Sequence, residues 1–144
     1  MTKVAHILAD KGREVLTIQP HHTMKQVIEL LADRGVGAVV VSDAQMSVLG
    51  ILSERDVVRV LARSGAAVLT EPVSHYMTPK VTTVAEDDTI DHVMETMTTG
   101  RFRHLPVVEN GRLVGIVSIG DVVKSHVSEL DTERQALREY IATA

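Results

Sequence analysis

The sequence contains no cysteine and very few aromatic residues. Without cysteine, the chain has no disulfides, no thiolate nucleophile and no cysteine-ligated zinc site, as is common in a reducing compartment. The aromatic side chains are Tyr76, Phe102 and Tyr140. These are too few for the base-stacking platform that single-stranded nucleic-acid binders use.

Two further features are missing: an excess of positive charge and a long apolar run. The chain has 15 Lys and Arg against 19 Asp and Glu, a net charge of −4. This excludes the broad cationic surface that binds a nucleic-acid duplex. No stretch approaches the roughly 18 apolar residues of a membrane-spanning helix, and the start of the chain lacks the apolar run of a signal peptide. We therefore expect a cytoplasmic protein with neither a membrane nor a duplex partner.

The most informative positive feature is an internal repeat. The segment Gly50–Arg59 returns as Gly115–Lys124, identical at the Gly, Ile, Ser, Asp and both Val positions of the shared pattern Gly-Ile-x-Ser-x-x-Asp-Val-Val. The same alignment pairs Val15–Ile18 with Val81–Val84. A repeat of this length indicates two copies of one supersecondary unit, related by a pseudo-two-fold axis, with any pocket between them.

Each copy has the pattern β-α-β-β-α, a mixed α/β (α+β) fold class. Thr23 and Thr89 are predicted helix N-caps, because apolar residues at helical spacing follow each. Two short apolar runs come next, and Asn110-Gly111 predicts a tight hairpin turn in the second copy. We expect the first repeat at residues 1–63, a linker at 64–72, the second repeat at 73–128 and an amphipathic C-terminal helix extension at 129–144.

This tandem unit, with Gly-h-h-Ser-x-x-Asp-h-h (h is apolar) at each last strand-to-helix junction, resembles the cystathionine-β-synthase (CBS) domain family. The lead-in Val73–Thr78 and the strand Arg103–Val107 share the resemblance. Two copies resemble a Bateman module. The resemblance implies a stand-alone regulatory protein that binds an adenosine-containing ligand, with AMP first, then NAD(H) or ATP, and that forms a homodimer.

The two Ser-x-x-Asp junctions are the sharpest candidate ligand residues. Within the resemblance, Ser118 with Asp121, and Ser53 with Asp56, are predicted ribose contacts, because a carboxylate at a first helical turn can accept hydrogen bonds from two ribose hydroxyls. The alternative is structural: Ser-x-x-Asp before an apolar helix is close to a capping box, in which the side chains satisfy backbone donors. Capping and ligand contact do not exclude each other.

Positive side chains cluster before the first of the two apolar runs in the second copy, at Arg101-Phe-Arg-His104. The resemblance implies that Arg103 and His104 contact phosphate beside Asp121, and Arg55 is a further candidate that reaches from the first copy. Arginine suits phosphate through its forked donors, and histidine adds charge only near or below its pKa of about 6.5. The alternative is a solvated or ion-paired basic strand edge.

The predicted contacts to the base are less specific. The resemblance implies contacts from the first strand of each copy, and small residues at the next strand edge leave room for an adenine ring. Threonine is also a common strand residue, so an ordinary structural role stays open for both threonines. The candidates are Thr17, Gly37, Ala38, Thr83 and Pro106.

No catalytic or metal centre is expected. The pairs of histidines three or four residues apart that mark helical metal sites are missing, since His92, His104 and His126 are scattered. No P-loop, complete glycine-rich fingerprint or ordered catalytic triad is visible. We expect a non-enzymatic sensor acting on a regulated protein that the sequence does not identify. The alternative is a ligand-independent dimerisation or protein-interaction module that works through its terminal helix.

Overall fold

The computed structural model describes residues 1–143, in which two copies of the predicted unit pack together. The helices are α1 (Val4–Lys11), α2 (Met24–Arg34), α3 (Glu54–Ser64), α4 (Ile90–Gly100) and α5 (Ile119–Thr143). The strands are β1 (Thr17–Ile18), β2 (Ala38–Ser42), β3 (Val48–Ser53), β4 (His104–Glu109) and β5 (Arg112–Ser118). Two short 3₁₀ segments, Gly65–Thr70 and Val73–His75, occupy the connection between the copies.

The first copy forms a three-stranded sheet in the order β1-β2-β3. Strand β1 pairs in parallel with β2, and β2 pairs antiparallel with β3. All five residues of β2 are buried, as expected for a central strand covered on both faces. In the register, Ala38 lies opposite Ser53, so the start of β2 is next to the serine that opens α3.

The second copy departs from the predicted pattern at its first strand. Strands β4 and β5 form a two-stranded sheet, and the expected strand at 81–84 is reduced to one parallel bridge between Val84 and Val107. The Val84 N–H donates to the Pro106 carbonyl at 3.0 Å, and the Val84 carbonyl accepts from the Val108 N–H at 2.9 Å. The other residues of the run are partly or fully exposed, and none of the three pairs with a described strand.

Helix ends and turns follow the predicted side-chain chemistry. The Thr23 hydroxyl accepts from the Gln26 N–H, and the Thr89 hydroxyl accepts from the His92 N–H, each at 3.2 Å. Both threonines are therefore N-caps, as predicted. Residues 110 and 111 have φ values of 53° and 77°, the left-handed pair that a type I′ hairpin requires.

The lead-in segments pack across the copies. Three residues of α1, Val4, Ile7 and Leu8, belong to the core formed by α4, β4, β5 and α5. Val73, which begins the lead-in of the second copy, is buried in the core of the first, where Tyr76 and Met77 also pack. Each hydrophobic core therefore contains a segment that the chain order assigns to the other copy.

Equivalent backbone contacts support the pseudo-two-fold relation between the copies. The Glu54 N–H donates to the Gly37 carbonyl at 2.9 Å, and the Ile119 N–H donates to the Arg103 carbonyl at 2.8 Å. These contacts fix the start of each hairpin against the first turn of the helix that follows it. Among residues 1–143, none of the helices combines the length and apolar character needed to cross a bilayer.

Candidate functional site

A cavity of about 420 Å³ lies between the two repeats, within the size range of small-molecule sites. The first repeat contributes the beginning of α3 and the residues beside it. The second contributes the segment 78–82 and the loop from α4 into β4. The lining residues are Gly37, Ile51, Ser53, Glu54, Arg55, Asp56, Arg59, Thr78, Lys80, Val81, Thr82, Gly100, Arg101, Phe102, Arg103, His104, Leu105, Ser118 and Ile119.

The first Ser-x-x-Asp junction forms one end of the cavity and is also a capping box. The Asp56 Oδ2 accepts from the Ser53 N–H at 2.9 Å, and the Ser53 hydroxyl accepts from the Asp56 N–H at 3.2 Å. Both side chains are half-buried. The reciprocal bonds hold the Asp56 carboxylate at the first turn of α3, while its Oδ1 makes no hydrogen bond within the described chain. Capping thus orients the group that a ligand could contact.

Five cationic side chains line the same cavity as this carboxylate. The cavity is lined by Arg55, Arg59, Lys80, Arg101 and Arg103, against the two carboxylates Glu54 and Asp56. None of the five cations forms an ion pair with a residue in the range 1–143. The uncompensated positive charge favours an anionic ligand, and guanidinium groups match phosphate oxygens through paired donors.

Gly37 and His104 bring the two repeats into close approach at this cavity. A Cβ atom at position 37 would lie 3.3 Å from the His104 Nε2, so a larger residue there would press on the imidazole. Burial is the largest influence on His104 and lowers its pKa below the ordinary 6.5, although the charge of Glu54 opposes this effect. The imidazole is therefore mainly neutral at pH 7 when no ligand is bound.

One wall of the cavity has an unusual backbone. Arg101 ends α4 in the left-handed region at φ 57°, a conformation that is uncommon for a residue other than glycine. A Cβ atom at the preceding Gly100 would overlap the Phe102 ring, so a larger residue there would force the ring to move. Such strain is often found at binding sites, and here it belongs to the loop that presents Arg101 and Arg103 to the cavity.

The second Ser-x-x-Asp junction has the same cap but a different neighbour. The Asp121 Oδ2 accepts from the Ser118 N–H at 2.9 Å and also from the Lys11 ammonium at 2.6 Å. The ammonium donates in addition to the Ile116 carbonyl at 3.0 Å. Burial tends to raise the pKa of Asp121, but the hydrogen bonds from Lys11 and Ser118 and the Lys11 charge outweigh it, so the pKa is lowered.

The predicted site residues fall into two groups. One group lines the inter-repeat cavity: Gly37, Ser53, Arg55, Asp56, Arg103, His104 and Ser118. The other does not: Thr17, Ala38, Thr83, Pro106 and Asp121. Ala38 and Pro106 are buried in strands, Thr83 is exposed, and Thr17 lines a separate open hollow of about 480 Å³ beside β1 and α2.

The structure adds a second neighbour to the grouping of charges expected from the sequence. Arg103 and His104 were expected beside Asp121, and the charge of Asp121 does act on His104. Both residues also line the cavity that Asp56 lines and Asp121 does not. The reason is that the start of β4 faces the start of α3 across the pseudo-axis, as the Gly37–His104 approach shows. Asp121 is also approached by Lys11 of α1, which crosses from the other end of the chain.

Sequence reasoning missed the segment that follows the second lead-in. Thr78 pairs with Ile51 at the edge of β3 through two hydrogen bonds of 2.9 and 3.1 Å. This pairing carries Lys80 and Thr82 into the cavity lining. The sequence contained a signal for this segment, because Val73–Met77 repeats the apolar pattern of Val4–Leu8. A lead-in that packs its apolar residues in a core also fixes the position of the residues that follow it.

Comparisons with known proteins agree on one family. The family model described as "CBS domain" matches residues 4–63 and again residues 73–128. The CBS domain-containing protein CBSX3, mitochondrial, of Arabidopsis thaliana is 32% identical over 148 residues, which cover 97% of this chain and 72% of that protein.

Solved structures give the same result. The CBS-domain containing protein ATU1752 from Agrobacterium tumefaciens matches with a TM-score of 0.83 and 50% identity, covering 87% of this chain and 99% of that one. The CBS domain protein PAE2072 from Pyrobaculum aerophilum, solved in complex with AMP, has a TM-score of 0.74 and 28% identity, covering 83% of this chain and 89% of that one. The predicted resemblance and fold class are confirmed.

Proposed function

The chain belongs to the CBS domain family, and from this premise we propose that it is a non-catalytic regulatory module that binds an adenine nucleotide between its two repeats. The observation that carries the proposal is the cavity in which the half-buried Asp56 carboxylate faces cations that lack ion-pair partners in residues 1–143. A carboxylate and a set of phosphate-binding cations in one cleft match the two ends of a nucleotide.

In the proposed binding mode, Asp56 accepts hydrogen bonds from the ribose hydroxyls through its Oδ1. The Ser53 hydroxyl lies beside it, and the free N–H groups at the start of α3 favour negative charge nearby. The phosphate then lies toward Arg103 and Lys80. The adenine ring occupies the apolar part of the lining, which includes Val81 and Phe102.

AMP is the ligand we propose first, with NAD(H) and ATP as alternatives. The structure of PAE2072 in complex with AMP supports this choice, since that protein shares the fold and is 28% identical to this chain over the matched residues. A ligand that uses Asp56 for its ribose holds its phosphates near residues of both repeats. Binding therefore changes the contacts between the repeats, which is how a nucleotide would alter the module's affinity for a regulated partner.

We propose one nucleotide per chain, bound at the Asp56 junction. At the other junction the Lys11 ammonium lies 2.6 Å from the Asp121 Oδ2 and compensates its charge, and Asp121 is not among the residues that line the cavity. The corresponding position after the second lead-in is Lys80, which makes no ion pair within the described chain and remains available to a phosphate.

We also propose that two copies associate through α3 and α5. Val58 and Val123 occupy equivalent positions of these helices and are 67% and 49% exposed. Val127, Leu130 and Leu137 continue the exposed apolar surface along α5. Equivalent helices that carry the same exposed residue suit a symmetric interface, in which each copy presents the same surface to the other.

Thermal denaturation with added nucleotide tests the ligand proposal. At about 100 times its Kd, a ligand adds about 2.7 kcal/mol to the free energy of unfolding, or roughly 5–10 °C in Tm for a chain of this size. We expect such a shift with AMP, and calorimetry should give one site per chain. An unchanged Tm with millimolar AMP, ATP and NAD(H) would contradict ligand binding. It would favour the alternative function, a ligand-independent protein-interaction module, which the exposed apolar surface of α5 supports.

A further inference from the structure

A second cluster of chemically active side chains lies away from the nucleotide cavity, between α4 and α5. It consists of Asp91, His126 and Glu129, whose potential ligand atoms all lie within 4.8 Å of one another. None of the three lines the cavity between the repeats. The nucleotide proposal therefore gives this cluster no role.

The fold explains why these three residues meet. His126 and Glu129 are three residues apart on α5, so their side chains share one helix face. Asp91 is the second residue of α4, which packs against α5. The beginning of the chain joins them: the Thr2 N–H donates to the Glu129 Oε1 at 3.1 Å, and the Thr2 carbonyl accepts from the Ile90 N–H at 3.1 Å.

A second observation concerns the imidazole of this cluster. The His126 Nδ1 is buried and has no hydrogen-bond partner in the described part of the chain, the one buried side-chain polar atom there in that condition. Burying a polar atom without a partner costs about 1–3 kcal/mol, so such atoms usually have one. No hydrogen bond or ion pair joins His126 to either carboxylate within residues 1–143, although both are close enough to share an ion with it.

The spacing leaves room for a cation. An ion at the centre of a triangle with 4.8 Å sides is about 2.8 Å from each corner. Transition-metal bonds to imidazole nitrogen and carboxylate oxygen are about 2.0–2.2 Å, so small side-chain rotations would close the site. Asp91 is exposed and free to make this adjustment. Three protein ligands would leave at least one position for water.

We propose that Asp91, His126 and Glu129 bind a divalent transition-metal ion, with Zn²⁺ as the preferred ion. One imidazole and two carboxylates form a mixed nitrogen and oxygen donor set that suits this class of ion better than Mg²⁺ or Ca²⁺, which prefer oxygen ligands alone. The bound ion holds α4, α5 and the beginning of the chain together. No metal site was expected because the sequence lacks histidine pairs at helical spacing, whereas the spacing here is His-x-x-Glu on α5 with an aspartate from α4.

Calorimetric titration of the full chain, purified without a histidine tag and treated with a chelator, tests the proposal. We expect Zn²⁺ to bind with a stoichiometry of one and a micromolar or lower Kd, and Mg²⁺ to bind far more weakly. Co²⁺ should give the visible absorption of a bound nitrogen and oxygen site. Absence of Zn²⁺ binding at tens of micromolar would overturn the proposal.

Three single variants test whether the Zn²⁺ ion binds at this cluster. His126→Gln and Asp91→Asn should each weaken Zn²⁺ binding at least tenfold, and Asp91→Asn changes only an exposed side chain, so folding is not at risk. His92→Gln is the matched control, because His92 is an exposed histidine next to Asp91 that lies outside the cluster. Equal affinity in all three variants would overturn the proposal. The AMP-dependent shift in Tm should persist in Asp91→Asn, which separates this site from the nucleotide cavity.

Discussion

Asp56 and Asp121 are equivalent residues with different surroundings. Both accept a hydrogen bond from the serine N–H of their own capping box. Only Asp121 also accepts one from a lysine ammonium, at 2.6 Å. The hydrogen-bonding capacity of Asp56 is therefore available to a ligand, whereas the charge of Asp121 is already compensated within the chain.

Substitution of these two aspartates tests which junction holds the ribose. Asp56→Asn removes the charge but preserves the cap, because the amide oxygen of an asparagine can still accept the Ser53 N–H. We expect AMP affinity to fall about 10- to 150-fold, equivalent to about 1.5–3 kcal/mol for hydrogen bonds to a charged group. Calorimetry measures the change. Asp121→Asn is the matched control and should stay within about twofold of the wild type, and a reversed ranking would move the ribose site to Asp121.

His104 predicts a pH dependence of stability. Burial, the largest cause, lowers its folded pKa below 6.5, so the unfolded chain binds a proton more readily than the folded chain as the pH falls. The contribution of the neutral His104 imidazole to the free energy of unfolding is complete above about pH 6.5. It is lost progressively as the pH falls from there through the lower folded pKa. We expect urea denaturation at about pH 7.5 and 5.5 to show a smaller loss of stability for His104→Gln than for the wild type. Equal losses would mean that His104 titrates normally in the folded chain.

At this scale the sequence predicted the residue types but not all of their neighbours. The caps at Thr23, Thr89 and both Ser-x-x-Asp junctions depend on local spacing, so they could be predicted from a few consecutive residues. The contact between Lys11 and Asp121 joins residues far apart in the chain and depends on where α1 packs. Local patterns carry no information on such a contact.

At the level of elements, α1 is the segment whose packing the repeat pattern did not predict. Its apolar residues resemble those of the second lead-in, so either segment is compatible with either core on pattern alone. The structure places Leu8 of α1 over Gly115 of β5, and Met77 of the other lead-in over Gly50 of β3. The two glycines are equivalent positions of the repeat, and each accommodates the lead-in that comes from the other copy in chain order.

The contact between Gly115 and Leu8 gives a testable prediction. A Cβ atom at position 115 would lie 2.7 Å from a Leu8 methyl group, and Leu8 is only 1% exposed, so it has little freedom to move. We expect Gly115→Ala to lower the free energy of unfolding by about 1–3 kcal/mol, the usual cost of overpacking. Urea denaturation measures the loss.

A double-mutant cycle attributes this loss to the α1 contact. Leu8→Ala alone should cost about 2–5 kcal/mol, because it leaves a cavity in the core. The methyl group that Gly115→Ala adds fills part of that space, so the double variant should lose less stability than the sum of the single variants. Strict additivity would mean that α1 does not pack on β5 through these residues.

On the scale of the whole molecule, the pseudo-symmetry gives each repeat a counterpart of the features of the other. One consequence is that α3 and α5 present Val58 and Val123 to solvent at equivalent positions. The amphipathic stripe of α5 was predicted from its spacing, but the sequence did not indicate that the stripe stays uncovered within one chain. Leu130 and Leu137, which are 50% and 59% exposed, lie on this stripe, and a contiguous exposed apolar surface is typical of an interaction site.

We predict that two copies of the chain associate through the exposed apolar surface of α3 and α5. The chain has a mass of 15.7 kDa, and sedimentation should give twice that value for the wild type. Val58→Glu combined with Val123→Glu places four carboxylates in a symmetric interface, so we expect the monomer mass with an unchanged helical circular dichroism spectrum. Thr132→Glu with Gln135→Glu adds the same charge on the other side of α5 and should leave the dimer intact. A wild-type chain that sediments at 15.7 kDa would contradict the dimer, and the exposed stripe of α5 would then be the docking surface for a different protein.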